Sequence, residues 1–224
     1  MQRIFDHVLE DTMKQDHTPI LSYTIHYPEF TTDCNQQAAE KINRYYEQQA
    51  RTLEEYCRNK LFQDAVSELE FDEKNHFPAI TYEVLVEYAV TFNQRCITSL
   101  FTDQYMFTGG AHGTTIRRGD TWDFQNGSRI PVSAFYPPGA DFRSCILKVV
   151  NAQIRERLKK MPGTYFDDYE KLTDENWNAR DFYVTPDGLV VFFQQYEVAP
   201  YSTGMPQFFM PFEKRGRRKG CSDC

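Results

Sequence analysis

Residues 80–92 read Ile80-Thr81-Tyr82-Glu83-Val84-Leu85-Val86-Glu87-Tyr88-Ala89-Val90-Thr91-Phe92. Ile80, Tyr82, Val84, Val86, Tyr88, Val90 and Phe92 fall on one face, against Thr81, Glu83, Glu87 and Thr91, with Leu85 and Ala89 as apolar exceptions. A period of two sustained over this length is the pattern of a long strand with one face covered. Asn93-Gln94-Arg95 follows as a turn and Cys96 to Phe107 as the returning partner, which predicts an antiparallel hairpin.

Working outward, Leu21, Tyr23, Ile25 and Tyr27 alternate with Ser22, Thr24 and His26, a second strand that Pro28 is expected to end. Between these strands lies a helix signal: Ala38/Ala39, Ile42, Tyr45/Tyr46, Ala50, Leu53, Tyr56/Cys57 and Leu61 recur at helical spacing, with Gln49 as one polar choice inside the stripe. Thr31, Thr32 and Asp33 are its N-cap candidates. Downstream, Trp122 and Phe124 lead into an Asn126-Gly127 hairpin turn, and Ile130 to Val132 return from it. Asp141 caps a second helix whose face is Phe142, Cys145/Ile146, Val149/Val150, Ile154 and Leu158, stopped at Met161-Pro162-Gly163. After an acidic stretch with short-helix potential, Phe182 and Val184, Leu189 to Phe193 and Phe208 to Phe212 read as closing strands. The expected fold class is α+β: antiparallel sheets carrying a long N-terminal helix and a second helix, and no doubly wound parallel sheet. Residues 1–213 read as a single domain, with subdomains of about 1–93 and 94–213 as the alternative, followed by a basic, disordered tail over 214–224.

Composition bounds the function. The 224 residues are 41% hydrophobic and 25% charged, and 18 Phe, 14 Tyr and 2 Trp give an aromatic content of 15%. That is a globular chain with an aromatic-rich core. The formal charge is −7, although Lys214, Arg215, Arg217, Arg218 and Lys219 crowd the last eleven positions, so the rest of the chain is more acidic still. An acidic body repels phosphate backbones, which argues against nucleic acid as a partner. No stretch approaches the ~20 apolar residues of a membrane helix. The six cysteines lack metal-finger spacing, and Cys221-Ser222-Asp223-Cys224 is a C-x-x-C at the chain end. Cys57 and Cys145 sit in helix stripes as small hydrophobes, and scattered, unpaired thiols point to a reducing, cytoplasmic setting. No metal site and no cofactor is expected.

Two clusters stand outside the core pattern. Thr108-Gly109-Gly110-Ala111-His112-Gly113 puts three glycines and an imidazole directly after a strand. It reads either as a structural loop or as one that presents amides and His112 to a ligand. Gln194-Gln195-Tyr196-Glu197-Val198-Ala199-Pro200-Tyr201-Ser202-Thr203-Gly204 runs a strand into a Pro-Tyr turn, either a buried corner or a rigid contact surface. The candidate ligand-binding residues are therefore Gly109, Gly110, His112, Gly113, Tyr196, Glu197, Pro200 and Tyr201. Tyr105 is the further aromatic attached to these loops.

These clusters carry a resemblance. Tyr27-Pro28, Tyr105 followed by Gly109-Gly110-Ala111-His112-Gly113, Trp122-Asp123-Phe124 before Asn126-Gly127, and the segment from Tyr196 to Gly204 before Phe208 to Phe212 together resemble the RsiV/PdaC-type domain over roughly residues 20–213. The resemblance implies an α+β extracytoplasmic module, found as the lysozyme-sensing ectodomain of an anti-sigma factor and beside the catalytic domain of peptidoglycan deacetylases. It implies no deacetylase chemistry, since the zinc-binding Asp/His pattern of that domain has no counterpart in the sequence. It also implies a functional face near the Gly109–Gly113 and Pro200-Tyr201 loops. Members usually follow a signal or membrane anchor, whereas this sequence opens almost directly on the domain.

The leading expectation is a non-enzymatic binding domain for a protein or a peptidoglycan-related, cell-envelope glycan. One alternative is a hydrolase using His112 with Asp120, Asp123 or Glu197. A structural or oligomerising protein is the other, and the sequence assigns no oligomeric state.

Overall fold

The computed structural model describes residues 1–212; the basic tail and the Cys221/Cys224 pair lie outside the described residues. Two sheets and two sets of helices account for the described residues. Strands β1 (Arg3–Gln15) and β2 (Thr18–Thr31) form an antiparallel hairpin through Asp16 and His17, both at positive φ. Helix α1 (Gln36–Tyr56), a π-turn (Cys57–Leu61) and α2 (Phe62–Asn75) follow without a break as one helical rod. Strands β3 (Tyr82–Gln94), β4 (Ile97–Phe107), β5 (Thr114–Asp123) and β6 (Ser128–Arg129) then form an antiparallel meander. The six strands lie in sequence order.

The sheet is mixed. β2 pairs with β3 in parallel, Leu21 opposite Tyr82 through Ile25 opposite Val86, because the rod carries the chain back to the starting edge. Pro28 does not end β2, which continues to Thr31. Beyond Ile25 the strand has β1 as its ladder neighbour, and such an edge tolerates proline. The cap of α1 is Asn35, whose side chain accepts from the amides of Gln37 and Ala38, and the Thr31–Asp33 candidates fall short of it. Phe92 leaves the face it shares with Val90 in the sequence pattern. The β3–β4 register shifts between the two, and Phe92 packs into the second layer while Val90 stays under α1. The return from Asn126-Gly127 is β6, and Val132 lies in a short 3-10 turn (Val132–Phe135).

The second layer is built from α3 (Phe142–Lys160), α4 (Tyr169–Glu175) and the antiparallel sheet β7 (Phe182–Thr185), β8 (Gly188–Phe192), β9 (Gln207–Pro211). Asp141 caps α3 as expected, accepting from the Ser144 amide. Position 93/94 falls in the β3–β4 hairpin, inside one sheet; the change of layer comes after β6. Side-chain alternation gives the large sheet two working faces. Leu100 and Trp122 pack against α1, while Ser99, Phe101 and Arg117 meet the second layer. Arg117 is the buried link there: its guanidinium donates to both oxygens of Asp103 (2.7 and 2.6 Å) and lies over the Phe101 ring.

The thiol reading is overturned. Cys34, just before α1, is disulfide-bonded to Cys96 in the β3–β4 turn, and Cys145 is also engaged in a disulfide. Cys57 alone among the described cysteines is free, and burial pushes its thiol up to about 11. No local spacing betrays a bond that spans 62 residues. Replacing Cys34 and Cys96 together by serine is expected to lower stability by about 2–4 kcal/mol in urea unfolding, as release of a loop of that length requires. An unchanged midpoint would refute it.

Candidate functional site

The two sequence-predicted clusters meet. After β4, Gly109 (φ 101°) and Gly110 (φ 87°) turn the chain through backbone conformations closed to most side chains, and His112 emerges exposed just before β5. The segment between β8 and β9 is laid beside it by amide side chains. β5 has no full strand beyond it at Thr115 and Arg117. Gln195 Oε1 accepts from the Thr115 amide (3.0 Å), and Gln194 both accepts from the Arg117 amide (2.9 Å) and donates to its carbonyl (2.8 Å). Two glutamines thus stand in for a missing strand. Glu197 closes the bend by accepting from the Gln194 amide (2.6 Å), and Tyr196 is held at φ 67°, a left-handed conformation unusual for an aromatic residue.

This framing fixes a ledge of three rings. His112 stacks on Tyr201 with 3.7 Å between centroids and 14° between planes, and Tyr196 packs obliquely on Tyr201 at 5.8 Å. His112 Nδ1 lies 3.2 Å from the Gly113 carbonyl oxygen and Nε2 lies 3.2 Å from the Tyr196 hydroxyl, so both ring nitrogens are engaged within the ledge. Tyr201 donates to the same Gly113 carbonyl (3.3 Å). Pro200 sets φ at −61° at the start of the 3-10 turn Tyr201–Thr203, and Val198 and Ala199 beneath are buried. Tyr105 supports the loop from below, since a Cβ at Gly113 would run into its ring. Tyr196 is 51% exposed, so the ledge faces solvent.

No carboxylate joins His112 by a hydrogen bond or ion pair among the described residues. Asp120 is on the α1 side of the sheet, bound to Arg129 (2.7 Å) and accepting from Tyr46 (3.2 Å). Asp123 accepts from the Gln125 amide and the Asn126 side chain, and Glu197 faces inward. The His112–carboxylate pairing therefore does not assemble. Among the described residues no group of three or more His, Cys, Asp or Glu is arranged to hold a metal ion.

Burial gives the underside of the ledge two unusual carboxyls. Asp181 is pushed up to about 6 by desolvation, partly offset by hydrogen bonds from Gln194 and Asn178, and Glu197 is raised by burial and, further, by Asp181.

Sequence reasoning missed a second feature, a cavity of about 390 Å³ between α1 and the sheet. Tyr45, Gln49, Thr52 and Tyr56 form its helical wall, at the i, i+4, i+7, i+11 spacing of one stripe, and Thr102, Gln104 and Arg118 its floor. Gln49, the polar member of an otherwise apolar run, was the available signal.

Comparisons with known proteins follow the same division of the chain. Residues 14–115 match the family model described as deacetylase PdaC, and residues 133–213 match a family of unknown function, DUF3298. Among curated proteins, the peptidoglycan-N-acetylmuramic acid deacetylase PdaC of Bacillus subtilis (strain 168) is 21% identical over 181 residues, 80% of this chain. The chain spans 34% of that relative's length. Among solved structures, a DUF3298 family member from Bacteroides fragilis superposes with a TM-score of 0.72 at 17% identity, over 94% of this chain and 90% of the other. One from Pseudomonas aeruginosa PAO1 gives 0.59 at 15% identity, over 95% and 90%. At these identities the likeness establishes the fold. His112 lies in the first matched segment and Tyr196 and Tyr201 in the second, so the ledge is a seam between the two.

Two outcomes follow from this geometry. Gly113→Ala is expected to cost about 1–3 kcal/mol by forcing a methyl against the Tyr105 ring and the Met106 carbonyl oxygen, read as a lowered denaturation midpoint; an unchanged midpoint would contradict it. For Asp181, the folded carboxyl holds its proton up to about 6 while the unfolded one releases it near 3.8. The folded state is therefore progressively disfavoured as pH rises through that window. Relative to the parent protein, Asp181→Asn should gain on the order of 2 kcal/mol in stability between about pH 4 and pH 7, measured by urea unfolding at each pH. A difference that stays constant with pH would contradict this.

Proposed function

The chain belongs to the PdaC/DUF3298 family, and from that membership we propose that it is a binding module without catalysis of its own, docking a protein partner through the ledge of His112, Tyr196 and Tyr201. The observation that carries this reading is the pre-ordered, solvent-facing ring stack. Rigid aromatic surface is held in place before any partner arrives, so little side-chain freedom is lost on contact. The ledge residues line none of the concavities that run along α1, β2 and α3. A small ligand needs a concavity that covers most of its surface, whereas a macromolecular partner can cover a raised patch. Glu197 and Pro200 act from behind by shaping the loop, and Gly109, Gly110 and Gly113 let the histidine approach.

The setting proposed is the cell envelope. A disulfide joining the segment before α1 to the β3–β4 turn supports an oxidising compartment, and a relative named for peptidoglycan deacetylation supports the same location. The cytoplasmic expectation rested in part on unpaired thiols, and Cys34, Cys96 and Cys145 are disulfide-bonded.

The test is capture from an envelope fraction with the parent chain and with Tyr201→Ala and His112→Ala, followed by rebinding of each captured protein in purified form. The expected result is a protein whose affinity falls about tenfold or more in both variants, the loss typical of central aromatic contacts. Equal binding by all three chains would refute the reading, and a glycan array signal weakened by the same variants would replace protein with glycan as the ligand of the ledge.

A further inference from the structure

The helix-facing side of the large sheet changes character along each strand. On β4 it runs Leu100, Thr102, Gln104, and on β5 Trp122, Asp120, Arg118. The apolar ends, Leu100 and Trp122, lie beneath the first half of α1, and the polar positions begin where the helix moves off toward β2. A face that merely completed the core would stay apolar, and one that merely faced water would not be walled by tyrosines. Here the exposed polar floor is bounded by Tyr45 and Tyr56 across about 390 Å³, within the range of roughly 300–1,000 Å³ typical of small-ligand sites.

We propose that this groove binds a short, uncharged pyranose glycan, one or two sugar units, at a site separate from the ledge. Three observations choose that class. Tyr45 and Tyr56 line the groove with aromatic surface of the kind the C–H face of a sugar covers, the Arg129 guanidinium already lying over the Tyr45 ring at 4.5 Å. The hydroxyl and side-chain amides of Thr102, Gln104 and Gln49 supply donors and acceptors together, matching groups that both give and take hydrogen bonds. The carboxylate of the groove is already balanced: Asp120 is paired with Arg129 and hydrogen-bonded by Tyr46, while the His26 ring is hydrogen-bonded to Asp6 at the exposed edge. An ionic ligand would have Arg118 alone to meet it, at the rim of an acidic body.

The architecture behind the groove is rigid. Tyr46 accepts from the Trp122 indole N–H (2.8 Å), and Tyr45 packs on the same indole at 5.5 Å, so the wall that a sugar would touch is braced by the core. Tyr56, by contrast, is 40% exposed at the far end and can be changed without opening the core.

The experiment is saturation-transfer NMR and titration of the full chain with two neutral disaccharides, chitobiose and cellobiose. Transfer to at least one is expected, with a dissociation constant below about 10 mM. Tyr56→Ala and Gln104→Leu should each weaken it about fivefold or more, while Tyr56→Phe, which keeps the ring, stays within about twofold. Thermal melting of each variant guards against simple unfolding. No transfer from either disaccharide at about 10 mM overturns the proposal, as does binding indifferent to Tyr56→Ala and Gln104→Leu. Sugar binding lost on Tyr201→Ala but kept in the groove variants also overturns it, by moving the sugar to the ledge. Loss of protein capture in the ledge variants, with disaccharide binding intact, keeps the two sites distinct.

Discussion

A single apolar stripe has to stay in contact with the protein along the whole of a forty-residue helical rod, and most of the architecture follows from how it does so. Buried positions from Ala39 through Ile42, Tyr46, Ala50, Cys57, Leu61 and Ala65 to Leu69 recur mostly at intervals of four. In a regular helix of 3.6 residues per turn, that spacing drifts, and over the thirty residues from Ala39 to Leu69 the stripe would rotate by roughly 120°. The π-turn at Cys57–Leu61 absorbs about one residue and brings the drift down to roughly 20°. The rod therefore crosses the sheet diagonally with one face down, its first half over Leu100, Trp122 and Phe124 and its second half over Leu21, Tyr23 and Val84. A diagonal rod cannot cover a twisted sheet completely, and the uncovered wedge is the groove.

The opposite face is secured by a different kind of contact. Ser99 and Thr121 share a hydrogen bond inside the interface, Ser99 accepts from the Val184 amide, and Thr91 donates to the Val184 carbonyl. Together with the Arg117–Asp103 pair these fix the second sheet against the first by directional bonds. That matters for the ledge, because its histidine and its tyrosines come from different layers. Stacking at 3.7 Å persists only if the layers cannot slide, and polar groups that would be left buried and unpaired resist sliding more sharply than apolar contacts do.

Legibility followed locality. The alternation of residues 82–92, the Asp141 cap and the closing strands rest on neighbouring residues, and the structure places each of them close to the sequence reading. β1 was invisible because an edge strand carries Asp6, Glu10, Asp11 and Lys14 among its apolar positions, which blurs the period of two. The parallel β2–β3 pairing and the Cys34–Cys96 bond depend on where the rod returns the chain, which no local pattern encodes. For the site, the glycines and the Pro-Tyr turn marked the right loops, yet the sequence did not show that Gln194 and Gln195, which open the second cluster, fasten it to the amides of β5. The groove was harder, since it consists of what the helix fails to cover, and only Gln49 hinted at it.

The parallel register of β2 and β3 also orders the assembly of the molecule in time. The β1–β2 hairpin and the β3–β4–β5 meander each join neighbours in the chain, whereas the central pairing must wait for the intervening rod to form and settle. Contacts between residues so far apart in sequence are slow to gain, and until they close each half presents an unpaired strand edge. Cys34 belongs to the earlier half and Cys96 to the later one, and they come into reach when the rod seats. In the folded protein that bond closes the 62-residue stretch containing the whole rod, and so ties the hairpin half of the large sheet to its meander half.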